Sequence, residues 1–234
     1  MKIGIGFDFD HTLGLDHGLE LHAYRKLAQD LGKPIDPADA AAHTYVETLL
    51  GRFRADQLGL DDAVAEFCAH FALACSAHTG MRYRQMCYGL VDEHVTPIDG
   101  ARELLADLER RGIPTAILTN GWSPLQALKV ARALDYHGPL LVSDELGYAK
   151  PAAAAFAHLA GVLALDRDCC WYVGDNPRAD VAGAQAAGLR GVWFDAENIT
   201  YPADAAPPDI VIHALSELLG RLLGPSARAQ NLRT

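Results

Sequence analysis

Apolar residues along the chain follow two rhythms. Short, near-continuous apolar runs occur at KIGIGFD (2–8), IPTAILT (113–119), GPLLVS (138–143), CCWYVG (169–174), GVWF (191–194) and DIVIH (209–213). Runs of this length without polar alternation are the pattern of strands buried on both faces. Between them lie stretches with helical spacing: ARELLADLERRG (101–112), AAAAFAHLAGVL (152–163), ADVAGAQAAG (179–188) and ALSELLGRLL (214–223). In the first of these, Leu104, Leu105 and Leu108 share one face and Gly112 supplies a C-terminal cap. Strand and helix alternate, which predicts an α/β fold built on a doubly wound parallel sheet with helices on both faces.

Residues 15–95 break the alternation. Leu19, Ala23, Leu27 and Leu31 recur every four residues, and Val64, Phe67, Cys68, Phe71 and Cys75 mark an apolar stripe on a second helix, with no convincing strand between. The pattern predicts a helical insertion after the first strand. The chain then divides into a catalytic core of 1–14 and 96–224, an inserted helical unit of 15–95, and a tail of 225–234 too polar to pack.

Composition narrows the partners. Hydrophobic residues make up 50% of the 234 and charged residues 21%, ordinary globular usage that excludes disordered and fibrous classes. Asp and Glu number 30 against 20 Lys and Arg, a net charge of −10, the wrong sign for a nucleic-acid or anionic-membrane surface. No apolar run approaches the roughly 18 residues that span a bilayer, and the first ten residues place two acids where a signal peptide needs its apolar centre. With five cysteines and no C-x-x-C pair, the reading is a cytoplasmic protein with reduced thiols. Ten histidines without H-x-H or H-x-x-x-H spacing argue against a zinc site.

Polar chemistry gathers where the strands end. Asp8-Phe9-Asp10-His11-Thr12 closes the first run, Thr119-Asn120-Gly121 the second, Lys150-Pro151 follows the third, and Gly174-Asp175 through Asp180 closes the fourth. In an open parallel sheet, ligands bind beyond the carboxyl ends of the strands. Asp8, Asp10, Asp175 and Asp180 brought together there would repel, since like charges about 4 Å apart cost roughly 4 kcal/mol at an effective dielectric near 20. A cation is therefore required, and an all-carboxylate donor set suits a hard ion, best Mg²⁺. Lys150 adds a second positive charge, and Thr119 and Asn120 add neutral donors, the equipment of a phosphoryl-transfer pocket.

These residues resemble the motifs of the haloacid dehalogenase-like hydrolase superfamily. Asp8, Asp10 and Thr12 match its DxDx(T/V) motif, Thr119 the Ser or Thr that ends an apolar strand, Lys150 the lysine motif, and Asp175 with Asp180 the acidic GDxxxxD form of the fourth, all in family order. An insertion between the first two motifs is similar to the family's helical type 1 cap. The stretch SDELGYAKPAAAAF, with Gly121-Trp122 and Gln126, resembles the subgroup of nucleotide, phosphoglycolate and acylneuraminate phosphatases. The resemblance implies a Mg²⁺-dependent phosphatase acting on a small soluble phosphate monoester, with nucleoside monophosphates among the candidates. Asp8 would be the nucleophile that forms an aspartyl-phosphate, and Asp10 the general acid and base. The metal would be held by the Asp8 carboxylate, the Asp10 carbonyl and Asp175. Thr119, Asn120 and Lys150 would hold phosphoryl oxygens, with Thr12 and Asp180 in support, Asp180 either behind the metal or steadying Lys150.

Other residues carry less. His11 reads as an exposed loop histidine and stays outside the site, and Cys169 and Cys170 read as packing residues in a strand. Trp122 has two readings of equal weight, stacking on a substrate ring or shielding the pocket. Arg52 and Arg54 read as solvated helix arginines ahead of substrate ligands. The rival functions are a 2-haloacid dehalogenase or phosphotransferase of the same superfamily and a receiver-like signalling module. Family dehalogenases lack the acid that Asp10 provides, and a receiver carries its acceptor on a mid-chain strand with no insertion after the first.

Overall fold

The computed structural model describes residues 2–55 and 57–224. The tail predicted at 225–234 lies outside the described residues. All six predicted strands form: β1 (Gly4–Phe7), β4 (Thr115–Thr119), β5 (Leu140–Val142), β6 (Cys170–Gly174), β7 (Arg190–Phe194) and β8 (Ile210–Ile212). They make one parallel sheet in the order β5-β4-β1-β6-β7-β8. The chain builds outward from β1 to β5 on one side, then returns to β6 and builds outward on the other. That reversal opens a crevice at the carboxyl ends of β1, β4 and β6.

β1 shows why a run of four residues suffices at the centre. Ile5 and Phe7 point into a large core with α5 (Ala101–Arg110) and α10 (Leu218–Leu223), while Gly4 and Gly6 face the opposite layer. A Cβ on Gly6 would run into Leu159 of α8 (Ala153–Leu163) and Tyr172 of β6, so glycine lets that helix close directly onto the strand. The second core collects Leu118, Phe156, Leu159, Cys170 and Tyr172 on this face.

Four helices fill the insertion: α1 (Leu19–Asp30), α2 (Ala40–Arg54), α3 (Leu60–His70) and α4 (Thr79–His94). Leu19, Ala23 and Leu27 are buried along α1 as their spacing predicts, joined by Tyr24, which packs on Phe67 and Tyr83. The stripe on α3 runs through Val64, Phe67 and Cys68, but Cys75 lies exposed in the connection to α4, because the helix ends at Phe71. Where the insertion leaves and rejoins the core, β2 (Gly14–Leu15) pairs antiparallel with β3 (Thr96–Pro97), a two-residue ribbon too short to leave an apolar signature. Of the core helices, α6 (Leu125–Ala133), directly after β4, packs against α4 and carries the buried polar residues Gln126 and Lys129. Cys169 precedes β6 in a single helical turn, and only Cys170 is buried in the strand. Short α7 (Ser143–Leu146) follows β5, and the helix predicted at 179–188 forms as a wide π-turn at Pro177–Ala182 running into α9 (Gly183–Ala186). Among the described residues, no helix is long and apolar enough to cross a membrane.

Candidate active site

The site is assembled from the four strand ends that the sequence singles out. β1 continues extended through Asp8, whose N–H donates to Val173 O, and then folds back at Phe9, whose carbonyl accepts from Thr12, Leu13 and Gly14. Phe9 is fully buried, so the extended backbone turns its neighbours Asp8 and Asp10 toward the crevice. Both line a cleft of about 570 Å³ with Thr119, Asn120, Lys150, Asp175 and Asp180. His11 lines it too, although the sequence analysis leaves it outside.

Lys150 is the hub. Its Nζ stands 2.7 Å from Asp8 Oδ1 and 2.7 Å from Asp180 Oδ1, with all three side chains at least nine-tenths buried. The ammonium also lies 5.3 Å from the centre of the Tyr172 ring beneath it. Asp180 reaches this position because the chain turns back over Gly174, where a Cβ would collide with its carboxylate. Its second oxygen accepts from Asn176 N–H at 2.9 Å, so both oxygens are hydrogen-bonded.

One ammonium faces three carboxylates. Oxygens of Asp8, Asp175 and Asp180 lie within 4.8 Å of one another. Burial pushes the Asp8 carboxyl well above the usual carboxylate range, against the pull of Lys150 and with further push from Asp180 and Asp175. Burial and then Asp180 raise Asp175 to about 6. Burial disfavours the charge on Lys150, yet Asp180 and Asp8 hold it above the ordinary lysine range. Three clustered carboxylates beside one ammonium leave a deficit of positive charge. The donors available are oxygens alone, so the residues present fit a small hard divalent cation such as Mg²⁺. Asp175 is aimed by its neighbours: its N–H donates to Thr12 Oγ1 at 3.1 Å, and its carbonyl accepts from Trp193 Nε1 at 2.9 Å.

Asn120 differs from the simple expectation. Its carboxamide accepts from Lys150 N–H at 2.8 Å and donates to Lys150 O at 2.9 Å and Arg54 O at 3.2 Å. The side chain thus staples the β4 end to the Lys150 loop and to the end of α2, leaving position 120 only its main-chain N–H to offer a ligand. Thr119 is buried at the cleft wall, its hydroxyl no nearer than 3.4 Å to the Asn120 carbonyl.

Beyond these, a buried charge network extends under the helical insertion. Asp10 does not join the carboxylate cluster. Its Oδ1 stands 2.5 Å from Lys129 Nζ and its Oδ2 accepts from Gln126 Nε2 at 2.8 Å, both on α6. Lys129 also pairs with Asp16 at 3.0 Å, where Lys129 and Arg54 overcome burial and hold the Asp16 carboxyl at about 2. Arg54 donates to Glu20 at 2.9 Å and lines the cleft with Gly51, Ala55 and Gln57, whereas Arg52 pairs with Glu66 on the surface. Trp122 is 4% exposed and directs its indole N–H at Glu20, with Tyr88 5.5 Å away, which removes its ring from the cleft and favours the shielding reading. Lys129, Asp16 and Glu20 carry no local motif. Their partners lie tens to more than a hundred residues away, and the signal available was a lysine on the apolar side of a core helix.

A family model described as haloacid dehalogenase-like hydrolase matches residues 4–188. The chain is 32% identical over 192 residues to a phosphoserine phosphatase of Thermus thermophilus, covering 77% of this chain and 76% of that protein. It is 36% identical over 132 residues to the pyrimidine 5'-nucleotidase YjjG of Escherichia coli, 54% of this chain and 58% of that one. Among solved structures it resembles the HAD-hydrolase YfnB from Bacillus subtilis, bound to magnesium, with a TM-score of 0.75 at 23% identity, covering 95% and 99% of the two chains.

Proposed function

Since the chain belongs to the haloacid dehalogenase-like hydrolases, we propose that it is a Mg²⁺-dependent phosphatase that cleaves a small soluble phosphate monoester through an aspartyl-phosphate on Asp8. It is an enzyme of the hydrolase class, and its relatives include phosphatases. The observation that carries the narrower reading is the presence of two carboxylates with different surroundings in one cleft: Asp8 against Lys150, and Asp10 against Gln126 and Lys129. A hydrolase that attacks carbon and releases halide has no leaving group to protonate. A phosphatase needs a second acid at this point.

The Asp8 carboxylate, the Asp10 carbonyl and Asp175 are the groups that would hold Mg²⁺, which when bound neutralises charge on the phosphoryl oxygens. An Asp8 oxygen attacks phosphorus in line while the bond to the leaving oxygen breaks, and Asp10 gives that oxygen its proton. Asp10, now a carboxylate, takes a proton from water. The hydroxide so formed attacks phosphorus, the bond to Asp8 breaks, and inorganic phosphate leaves. Lys150, the Thr119 hydroxyl and the Asn120 main-chain N–H hold the phosphoryl oxygens, and Thr12 fixes Asp175. The helices of 15–95 act as the cap. Arg54, Gly51, Ala55 and Gln57 line the cleft from that side, where they contact the leaving group and limit its size.

The test is a panel of phosphorylated metabolites, including nucleoside monophosphates, phosphoserine and phosphoglycolate, incubated with Mg²⁺ and read by phosphate release. Release from a small monoester, abolished by chelator and restored by Mg²⁺, is expected. Halide release from a 2-haloacid with no phosphate release from any ester would overturn the reading.

A further inference from the structure

We propose that Lys129 is a positioning residue, a buried ammonium that with Gln126 clamps the Asp10 carboxylate in the orientation required for proton transfer; this rests on the phosphatase reading above. The two clamp residues are three apart on α6, so they project from one helix face. The first turns of α6 emerge from the β4 end directly beside β1, which delivers both side chains to the loop that carries Asp10. Lys129 Nζ is ion-paired with Oδ1 at 2.5 Å, and Gln126 Nε2 donates to Oδ2 at 2.8 Å, so a contact holds each oxygen. A carboxylate offers about four lone-pair sites, so sites remain for the leaving oxygen and the water.

Lys129 is 1% exposed, and a buried ammonium needs an acid beside it. Asp16 at 3.0 Å, itself fixed by Gly18 N–H at 3.1 Å, already answers that need. A second carboxylate drawn to 2.5 Å goes beyond charge balance and acts on Asp10. Gln126 is in turn pinned by a bond from its Nε2 to Asn120 O at 2.9 Å, which ties the clamp to the phosphate-binding strand end. Asp10 stands just before the turn at 11–13 and is a quarter exposed, and among the described residues its carboxylate has one ion-pair partner, Lys129, and one side-chain hydrogen-bond donor, Gln126. Asp16 opens the segment that leads into α1, so the same ammonium ties the acid to the junction between core and helical insertion.

A role in proton transfer makes the loss depend on the leaving group. Lys129→Met should cut steady-state hydrolysis of an alkyl phosphate by about 10² or more, the range general acid catalysis covers. With p-nitrophenyl phosphate, whose leaving group is stable as an anion, the burst that reports phosphorylation of Asp8 should fall by less than roughly tenfold. Gln126→Leu should show the same split to a smaller extent. The double variant Lys129→Met with Asp16→Asn restores charge balance and keeps the test valid if the single variant unfolds, melting temperature being measured for both. Equal losses on both esters in a folded variant would overturn the proposal and make Lys129 a packing residue. Unchanged or faster alkyl phosphate hydrolysis would also overturn it, since Lys129 would then hold Asp10 away from its task. Wild-type protein releasing phosphate from neither ester overturns the phosphatase reading, and the role of Lys129 with it.

Discussion

Lys150 Nζ stands 2.7 Å from Asp8 Oδ1 with both side chains at least nine-tenths buried, so the cluster's one ammonium is paired with the carboxylate proposed as the nucleophile. The same ammonium holds Asp180 at 2.7 Å. Removing it leaves two buried acids without a counter-charge, which typically destabilises by about 3–5 kcal/mol. Lys150→Met should therefore lose phosphatase activity and melt lower at pH 7. Because burial already raises Asp8, the variant can recover by taking up a proton, and its melting deficit should shrink toward pH 5. Calorimetry across that range checks this, and a variant with normal turnover would remove Lys150 from the mechanism.

Asp175, one of the groups proposed to hold Mg²⁺, should contribute to the pH dependence of metal binding. With its carboxyl raised to about 6 and that of Asp8 also raised by burial, protons compete with the ion for both carboxylates. Mg²⁺ affinity should fall as pH drops through about 6, by about tenfold per unit or more, with proton release on binding. In metal-free protein the same raised value favours folding in acid, an effect complete below about 4 and lost as pH rises through about 6. Isothermal titration with Mg²⁺ in buffers of different ionisation heat measures both quantities.

Asp16 should behave in the opposite sense. Its carboxyl is held at about 2, below the ordinary value near 4, so the charged form favours the fold. That contribution, of order 2 kcal/mol, is present above pH 4 and lost as pH falls through about 2. Asp16→Asn should lower the melting temperature at pH 7, with the difference from wild type narrowing between pH 4 and 2. A constant difference over that interval would show that the Lys129 pair contributes nothing.

Asn120→Ala removes the staple between the β4 end, the Lys150 loop and Arg54 O. Loss of these hydrogen bonds should cost about 1–3 kcal/mol and lower kcat, because Lys150 loses the anchor of its own backbone. Asn120→Asp keeps the acceptor but loses both donated bonds and turns a charged oxygen toward two carbonyls, and should be at least as damaging as Asn120→Ala in urea unfolding and in turnover.

How much of this was written in the sequence depends on the length of the signal. β6 reads as Cys170–Gly174 because a strand covered on both faces is a run of apolar residues, and Asp175 follows from where that run stops. The same logic located Asp8, Thr119 and the Lys150 loop. Lys129 escaped because nothing near position 129 announces that Asp10 and Asp16 lie opposite it; 113 residues separate Lys129 from Asp16. Trp122 and Asn120 were legible as residues of interest but not in their use, since burial of the indole against Glu20 and exhaustion of the carboxamide on Lys150 and Arg54 are products of packing. The β2–β3 ribbon, two residues a side, offers too short a pattern to read.

The division of labour between Asp8 and Asp10 is the centre of the account, and Asp10→Asn tests it most directly. On the proposed roles, the variant keeps the nucleophile and loses the group that protonates the leaving oxygen and activates water. Mixed with p-nitrophenyl phosphate and Mg²⁺, it should give a burst of nitrophenol followed by slow turnover, and after an acid quench mass spectrometry should find a phosphoryl group on the peptide that carries Asp8. Alkyl phosphate should give neither product nor adduct. Hydrolysis of alkyl phosphates at close to the normal rate, with no phosphorylated peptide from either ester, would contradict the assignment of both carboxylates.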